Sequence, residues 1–521
     1  MRKRTIATGL LVSGCLLWAC PPSVPELCDN GACAAPDGGG SSSGGGDGGD
    51  GGIIKPPGCD LTKEPKDSPA CVDDGVGIFV SPTGADTAVG TKSSPVRTIA
   101  KALELAGAKR VYVCEGTYAE NVEVKGGGMI AGGFACADWR YTGVKAKVVP
   151  AAGHALRVTK ASGEVVVSDL ELVSVDAAAN SGESSVAVFA SESAGLTLLR
   201  AKVEAGKGAD APLVEAPVTN MYGGDKTGKG ATGNVGGGSN NCACPVYGAS
   251  VGASGGNGGN AAVKDGKPGD PGGAAPATPP PSGVFDGKGG MGAADPGGNC
   301  TPGTAGAAGE ARTGGKGAVA LGTLTAQGWA PAAGTKGEAG GAGQGGGGGG
   351  GDNFTNGAGG GGGGGCGGCG GNGAAGGRGG GASIAVLSFN TALKLEGTTL
   401  KTRDAGRGAD GGTGEAGGGG GGGTVGACAG RAGGPGAGGS GGGGGAGGVS
   451  VGILYAGAKP RVDGSEVASA ATHPTATLGQ HGLHGTKGSG GAANMTSPAP
   501  GNAGNEGTDG VAGEAAAVKG L

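Results

Sequence analysis

Ser450-Val-Gly-Ile-Leu-Tyr-Ala-Gly-Ala-Lys-Pro-Arg-Val-Asp-Gly-Ser-Glu-Val467 lies without a gap over Ser383-Ile-Ala-Val-Leu-Ser-Phe-Asn-Thr-Ala-Leu-Lys-Leu-Glu-Gly-Thr-Thr-Leu400, 67 residues earlier. Val451 falls on Ile384, Ile453 on Val386, Leu454 on Leu387, Pro460 on Leu393, Val462 on Leu395, Gly464 on Gly397 and Val467 on Leu400. An apolar-x-apolar step, a turn, a second such step and one more apolar residue make a three-strand unit, because alternation puts side chains on one face of a strand. The unit recurs upstream. Leu156, Val158, Val165, Val167 and Leu172 form one coil, and Val186, Val188, Leu196, Leu198 and Val203 form the next. Units that repeat in this way bury an apolar interior only by stacking, each coil adding about 4.8 Å of height.

Composition limits what else the chain contains. Of 521 residues, 137 are glycine and 28 proline, and aromatics make up 3%, so few side chains are large enough to build an α/β enzyme core. A formal net charge of −4 gives no electrostatic reason to expect nucleic-acid binding. Met1-Arg-Lys-Arg4 followed by the apolar run Thr5 to Ala19 is an export signal too short to be a plain membrane span. Val12-Ser13-Gly14-Cys15 resembles the lipobox of exported bacterial lipoproteins, in which the cysteine thiol takes the lipid. Leu17-Trp18-Ala19-Cys20 is the alternative: Trp18 is bulky for its position, yet Cys20 sits at the end of the apolar run. An ordinary cleaved signal is the third reading. The resemblance implies a membrane-anchored protein, at the outer membrane or cell surface.

The expected organisation is a signal and lipobox region (1–20), a flexible Gly/Ser/Pro-rich tether (21–75), N-terminal coils (76–205), a glycine-rich insertion (206–381), a coil (382–404), a second insertion (405–448), a last coil (449–478) and a glycine-rich tail (479–521). Gly206-Lys-Gly-Ala-Asp210 and Gly406-Arg-Gly-Ala-Asp410 both follow the last strand of their coils, so both insertions leave the body at the same turn. Long excursions there are tolerable, since doubling a loop costs only about 0.6 kcal/mol.

Gly77-Ile-Phe-Val80 reads as a strand, Ser81 to Asp86 as a turn, Ser94 to Ala106 as an amphipathic helix, and Arg110 to Tyr118 and Glu120 to Val124 as strands. The order V-S-P-x-G-x-D, S-P-x-x-T-I-x-x-A-L and V-Y-V-x-x-G-T-Y-x-E-N, from Ile78 to Val124, resembles the opening of right-handed parallel β-helix proteins of the pectin-lyase-like superfamily. The resemblance implies an all-β fold, a right-handed parallel β-helix whose N-terminal helix plugs the open end of the coils. The insertions would be long and largely irregular.

In those insertions Gly266 to Gly272 has a brief triplet rhythm, while Gly345 to Gly351 and Gly359 to Gly365 have no strict period, so collagen is not indicated. Disordered display loops are the expectation. Polyglycine helices packed side by side are the alternative, because only glycine lets backbones approach closely. In composition the tracts resemble those of glycine-rich PE-family surface proteins.

Export makes disulfides the default for the remaining cysteines. Cys28 with Cys33 and Cys59 with Cys71 would close small loops, and Cys114 and Cys136 lie on neighbouring strand units. Cys366-Gly-Gly-Cys369 has the spacing of a metal knuckle or redox pair. Zinc would need ligands from elsewhere in the loops, among them Cys242, Cys244, Cys300 or Cys428, so staples are expected and no metal or cofactor.

Many pectin-lyase-like proteins cleave polysaccharides, which makes a lyase or hydrolase the competing function. Gly479-Gln-His-Gly482 and Leu483-His-Gly485 faintly resemble the G-H-G of polygalacturonase-type hydrolases, but no N-T-D occurs and no R-I-K follows His481. Asp169, Glu171, Arg200 and Lys202 are the nearest set to a lyase site, and a solvated charged face accounts for them. His154 and His473 complete the histidines, with His481 and His484 expected in solvent. The sequence therefore points to a non-catalytic surface protein, structural, adhesive or glycan-contacting, whose partners are the membrane through its lipid and a polysaccharide or other surface proteins.

Overall fold

The computed structural model describes residues 52–246, 249–252, 254–260, 262–272, 286–495 and 500–521. The two lipobox cysteines, Cys15 and Cys20, and the candidate pair Cys28 and Cys33 lie outside these residues.

Three parallel sheets form the coiled body. The first runs through Gly77–Val80, Arg110–Cys114, Gly128–Phe134, Glu164–Ser168, Gly195–Leu199, Leu393–Glu396 and Arg461–Val462, with Ser465–Glu466 added antiparallel at its end. The second runs through Thr117–Tyr118, Ala146–Val148, Leu170–Val173, Lys202–Glu204, Thr399–Lys401 and Ala476–Thr477. The third contains Val122–Val124, Leu156–Thr159, Ser185–Ser191, Ser383–Phe389, Ser450–Ala456 and Ala515–Gly520. The chain visits third, first and second sheet in turn, then starts the next coil, which is the path of a parallel β-helix. The fold is all-β.

The sequence offset is the structural register. Ile384 pairs with Val451, Val386 with Ile453 and Leu395 with Val462, each 67 residues apart. Val165, Val167, Leu196, Leu198, Leu393, Leu395, Leu172, Val203 and Leu400 fill one interior with Val188, Val386 and Ile453. One inward assignment changes. Val186, Ile384 and Val451 belong to a second cluster with Phe189, Leu387 and Leu454, on the opposite face of the third sheet. Leu321, Leu324 and Trp329 cover that face from the hairpin Gly322–Thr325/Gly328–Pro331, which the first insertion sends back onto the body. Val467 still packs against the interior but leaves the register: Leu400 pairs instead with Ala476, because Asp463 and Gly464, both at positive φ, turn the chain into a hairpin.

One turn explains much of the coil geometry. Asp169, Arg200 and Gly397 occupy the same bend between first and second sheets, with φ of 54°, 48° and 57°. Hydroxyls line the turns inside the stack: Ser193 Oγ accepts from Ala161 N, Thr391 Oγ1 from Ser193 N, and Thr398 Oγ1 from Ala201 N. Each satisfies a backbone donor that the turn takes out of the sheet ladder.

The glycine tracts are not disordered display loops. The second sheet continues into them: Ala405, Gly408, Gly411, Gly414 and Gly417 donate to the carbonyls of Gln480, Leu483, Thr486, Ser489 and Ala492. The third sheet is approached in the same way, with Gly362, Gly365, Gly368 and Gly371 donating to Cys428, Arg431, Gly434 and Ala437. A bond at every third residue is the period of the extended threefold helix of polyproline II and polyglycine. Every N–H from Gly436 to Gly448 donates to a backbone carbonyl of another tract. Within it, one row reaches Gly418 to Gly406, one Gly341 to Ala332 and one Asn502 to Val511. Carbonyls of the same tract accept from three more, at 371–380, 482–491 and 315–318. It thus has six neighbours.

Such packing requires glycine. A Cβ on Gly436 would lie 2.0 Å from the Cys369 carbonyl oxygen, and one on Gly442 2.0 Å from that of Ala375. Toward the periphery only the row facing inward is glycine, as in Gly482, Gly485, Gly488 and Gly491 or Gly501, Gly504, Gly507, Gly510 and Gly513. Outward N–H groups there find side chains: Arg407 N donates to Asp210, Thr486 N to Asp410 and Lys487 N to Asp509.

Candidate functional site

The motif from Ser81 to Asn121 folds into a helix cap. The helix α1 is Ile99–Ala106, shorter than expected, with Thr98 as its N-cap. Asp86 Oδ1 accepts from Arg97 N, Thr98 N and Thr98 Oγ1, fixing the chain that enters the helix. Thr98 Oγ1 accepts from Lys101 N, and Glu120 reaches across to accept from Ile99 N and Ala100 N at 2.8 and 2.9 Å. The first-turn N–H groups, which no helix can satisfy internally, are thereby paired. Burial raises the Glu120 pKa, and the two N–H donors only partly offset it. Ile99, Ala102 and Ala106 enter the interior. Asn121 Nδ2 donates to the carbonyls of Ala152 and His154, and the buried Tyr118 hydroxyl to that of Cys114. A cleft of about 590 Å³ beside α1 is lined by Leu103, Val124 and Val165 with Glu104, Lys109 and Lys125. Its acids and bases are mixed.

The four charged residues singled out for a lyase do not form one centre. Arg200 holds Asp169 through Nε and NH2 at 3.0 and 2.7 Å, and its other edge holds Glu64. Tyr141 OH also donates to Asp169. Asp169 is 2% exposed, so a solvated face does not describe it. The reason is the segment before the first strand. Residues 54–75, expected within the flexible tether, pack on the body through Glu64, through Arg110 to the Leu61 and Lys63 carbonyls, and through Tyr112 OH to the Cys71 carbonyl. Val72 joins Phe79, Tyr112, Phe134 and Trp139 beneath it. Lys202 and Glu171 form a separate, more exposed pair at 2.9 Å, with Lys147 at 3.8 Å.

The cysteines are all paired among the described residues. Cys59–Cys71 and Cys114–Cys136 close loops at the N-terminal end. Cys366 and Cys369 do not bond each other: they reach Cys242 and Cys244, and Cys300 bonds Cys428. Their C-x-x-C spacing is one turn of a threefold helix, so both sulfurs leave the tract on the same side. Among the described residues no three His, Cys, Asp or Glu side chains converge as a metal site. His481 is exposed and His484 half-buried, in the peripheral row containing Gly482 and Gly485. His154 stands apart, tilted against Phe189 with its ring nitrogen 2.9 Å from the Val186 carbonyl, and burial lowers its pKa.

Residues 82–125 match the family described as a protein of unknown function, DUF1565. That family is associated with parallel β-helix proteins, and the matched span is the helix cap with its Asp86, Thr98, Tyr118 and Glu120. No curated protein and no solved structure matches the chain.

Proposed function

We propose that the chain is a non-catalytic surface protein, exported and lipid-anchored through Cys15 or, alternatively, Cys20, whose coil and glycine bundle make a rigid body for adhesion or glycan contact. The observation that carries this reading is the engagement of Asp169 and Arg200 with each other, Glu64 and Tyr141. An acid or base that acts on a sugar must be free to exchange a proton with it. Five disulfides support export to an oxidising compartment. Anchoring rests on the resemblance of Val12 to Cys15, and the likeness to glycine-rich PE-family proteins is one of composition.

Two experiments test it. Palmitate labelling should be lost in a Cys15→Ser/Cys20→Ser double variant, and undiminished labelling refutes the anchor. A glycan-array screen with the exported body, run beside a reducing-sugar and unsaturated-product assay on acidic polysaccharides, should give binding without turnover. Turnover abolished by Asp169→Asn in a protein that still folds would establish the lyase or hydrolase reading instead.

A further inference from the structure

Of the five disulfides, four have at least one cysteine sealed in the interior: Cys71, Cys114, Cys242 and Cys366 are at most 1% exposed, and Cys244 and Cys369 are buried. Cys300–Cys428 is different. Both of its cysteines are partly exposed. A thiolate attacks one sulfur along the sulfur–sulfur axis, so one solvent-reached cysteine is enough: Cys59 and Cys136 offer one at the N-terminal end, and within the bundle, among the described residues, only Cys300 and Cys428 do.

The position of this bond gives exchange a consequence. Turns at 232–235, 294–298, 353–358 and 424–428 meet at the far end of the bundle: Phe354 N donates to Lys264 O, Asn353 Nδ2 to Ala294 O, Gly360 N to Gly233 O, and Ala427 N to Gly360 O. Cys300 follows one of these turns and Cys428 ends another. Beyond the disulfide the outer tract holds the central one by single backbone bonds, Gly303 N to Ala429 O and Gly306 N to Ala432 O, with no apolar row beneath them. At this end the central tract is also less complete, since Pro435 has no N–H to donate.

We infer that Cys300–Cys428 is the exchange-reactive disulfide of the glycine bundle and the latch on its far end, its substrate class being small or protein dithiols. The first thiolate attacks one sulfur, forming a mixed disulfide and releasing the other cysteine as a thiolate that takes a proton. The second thiol of the reagent then displaces the remaining cysteine. The disulfide is reduced to two thiols and the dithiol is oxidised to its disulfide. The outer tract at 300–306 then frays from the central one, while Cys242–Cys366 and Cys244–Cys369 keep the next layer in place.

The test uses the oxidised full chain. Graded dithiothreitol, brief exposure, alkylation and peptide mass spectrometry should label Cys300 and Cys428 at a reductant concentration about tenfold below that needed for Cys242, Cys244, Cys366 or Cys369. Amide exchange should then rise at Gly303, Gly306 and Gly362 and stay unchanged from Gly436 to Gly448. Simultaneous labelling of all the bundle cysteines overturns the selectivity. A Cys300→Ser/Cys428→Ser variant, which keeps the other four bonds, should show the same raised exchange without reductant, and exchange equal to the parent protein overturns the latch.

Discussion

The coiled body and the glycine bundle share one ladder of backbone hydrogen bonds and are held by opposite means. In the body, Leu196 stacks on Leu393 and Leu198 on Leu395, and the interior is sealed by side chains removed from water. Each fully buried aliphatic side chain there contributes about 1.5–3 kcal/mol. In the bundle the rows between 436 and 448 are glycine, alanine and serine, and what is buried is backbone. A net hydrogen bond is worth about 0.5–1.5 kcal/mol, close to what fixing a glycine costs, so the bundle depends on the completeness of its lattice. Strands such as Thr399–Lys401 pass from one regime to the other without breaking register. A continuous ladder does not imply a common source of stability.

The largest effect should come from filling a central row. Gly436→Val places atoms where a carbonyl oxygen lies 2.0 Å from the position of Cβ. It should cost more than about 4 kcal/mol and expose the bundle to proteolysis, whereas Gly422→Ala, with nothing within 4 Å, should leave protease resistance unchanged. Equal behaviour of the two would break the lattice account. Next is Leu198→Ala, expected to lower stability by about 2–5 kcal/mol through a cavity in the body, read by denaturant unfolding of the far-ultraviolet signal. Because the bundle buries little apolar surface, its own unfolding should carry a smaller denaturant slope than the body's.

Glu120→Ala should cost about 1–2 kcal/mol by uncapping α1. The effect belongs to the body alone, so hydrogen exchange at Ile99 and Ala100 should rise with the bundle unchanged. The smallest effect is that of acid. Asp286 is drawn down to about 2 by Lys288 and Thr304, and Asp410, despite burial, is held below its ordinary range by Thr486 and Arg407. Depressed acids stabilise the fold above their unfolded value of 3.8 and lose that contribution as pH falls toward the folded one. The periphery of the bundle should therefore loosen between pH 4 and about 2 around Asp286, seen as faster exchange at Lys288 N, and at Thr486 N as the pH falls below 3.8, before the central tract responds.

The body was legible because its apolar residues carry a period of two, and the 67-residue offset became the register itself. Val467 misled the alignment because the unit stops at a hairpin that glycine permits in either copy. Ala515–Gly520 closes the third sheet yet escaped notice, since three alanines and one valine in a glycine-rich tail make a faint strand. The burial of Asp169 was invisible because Glu64, which pairs with the Arg200 that holds it, comes from a stretch read as tether. The bundle's order was hidden differently. Where all three rows of a tract are glycine, a period of three cannot show. It does show at the edge, in Gly482, Gly485, Gly488 and Gly491, where two rows keep side chains.

The most direct test of an ordered bundle is amide hydrogen exchange across Gly436 to Gly448 in the oxidised full chain, compared with the strand Ser383–Phe389. Protection on all three rows, comparable to that of the strand, is the predicted result. Complete exchange at the earliest time point, with Ser383–Phe389 still protected, would contradict it.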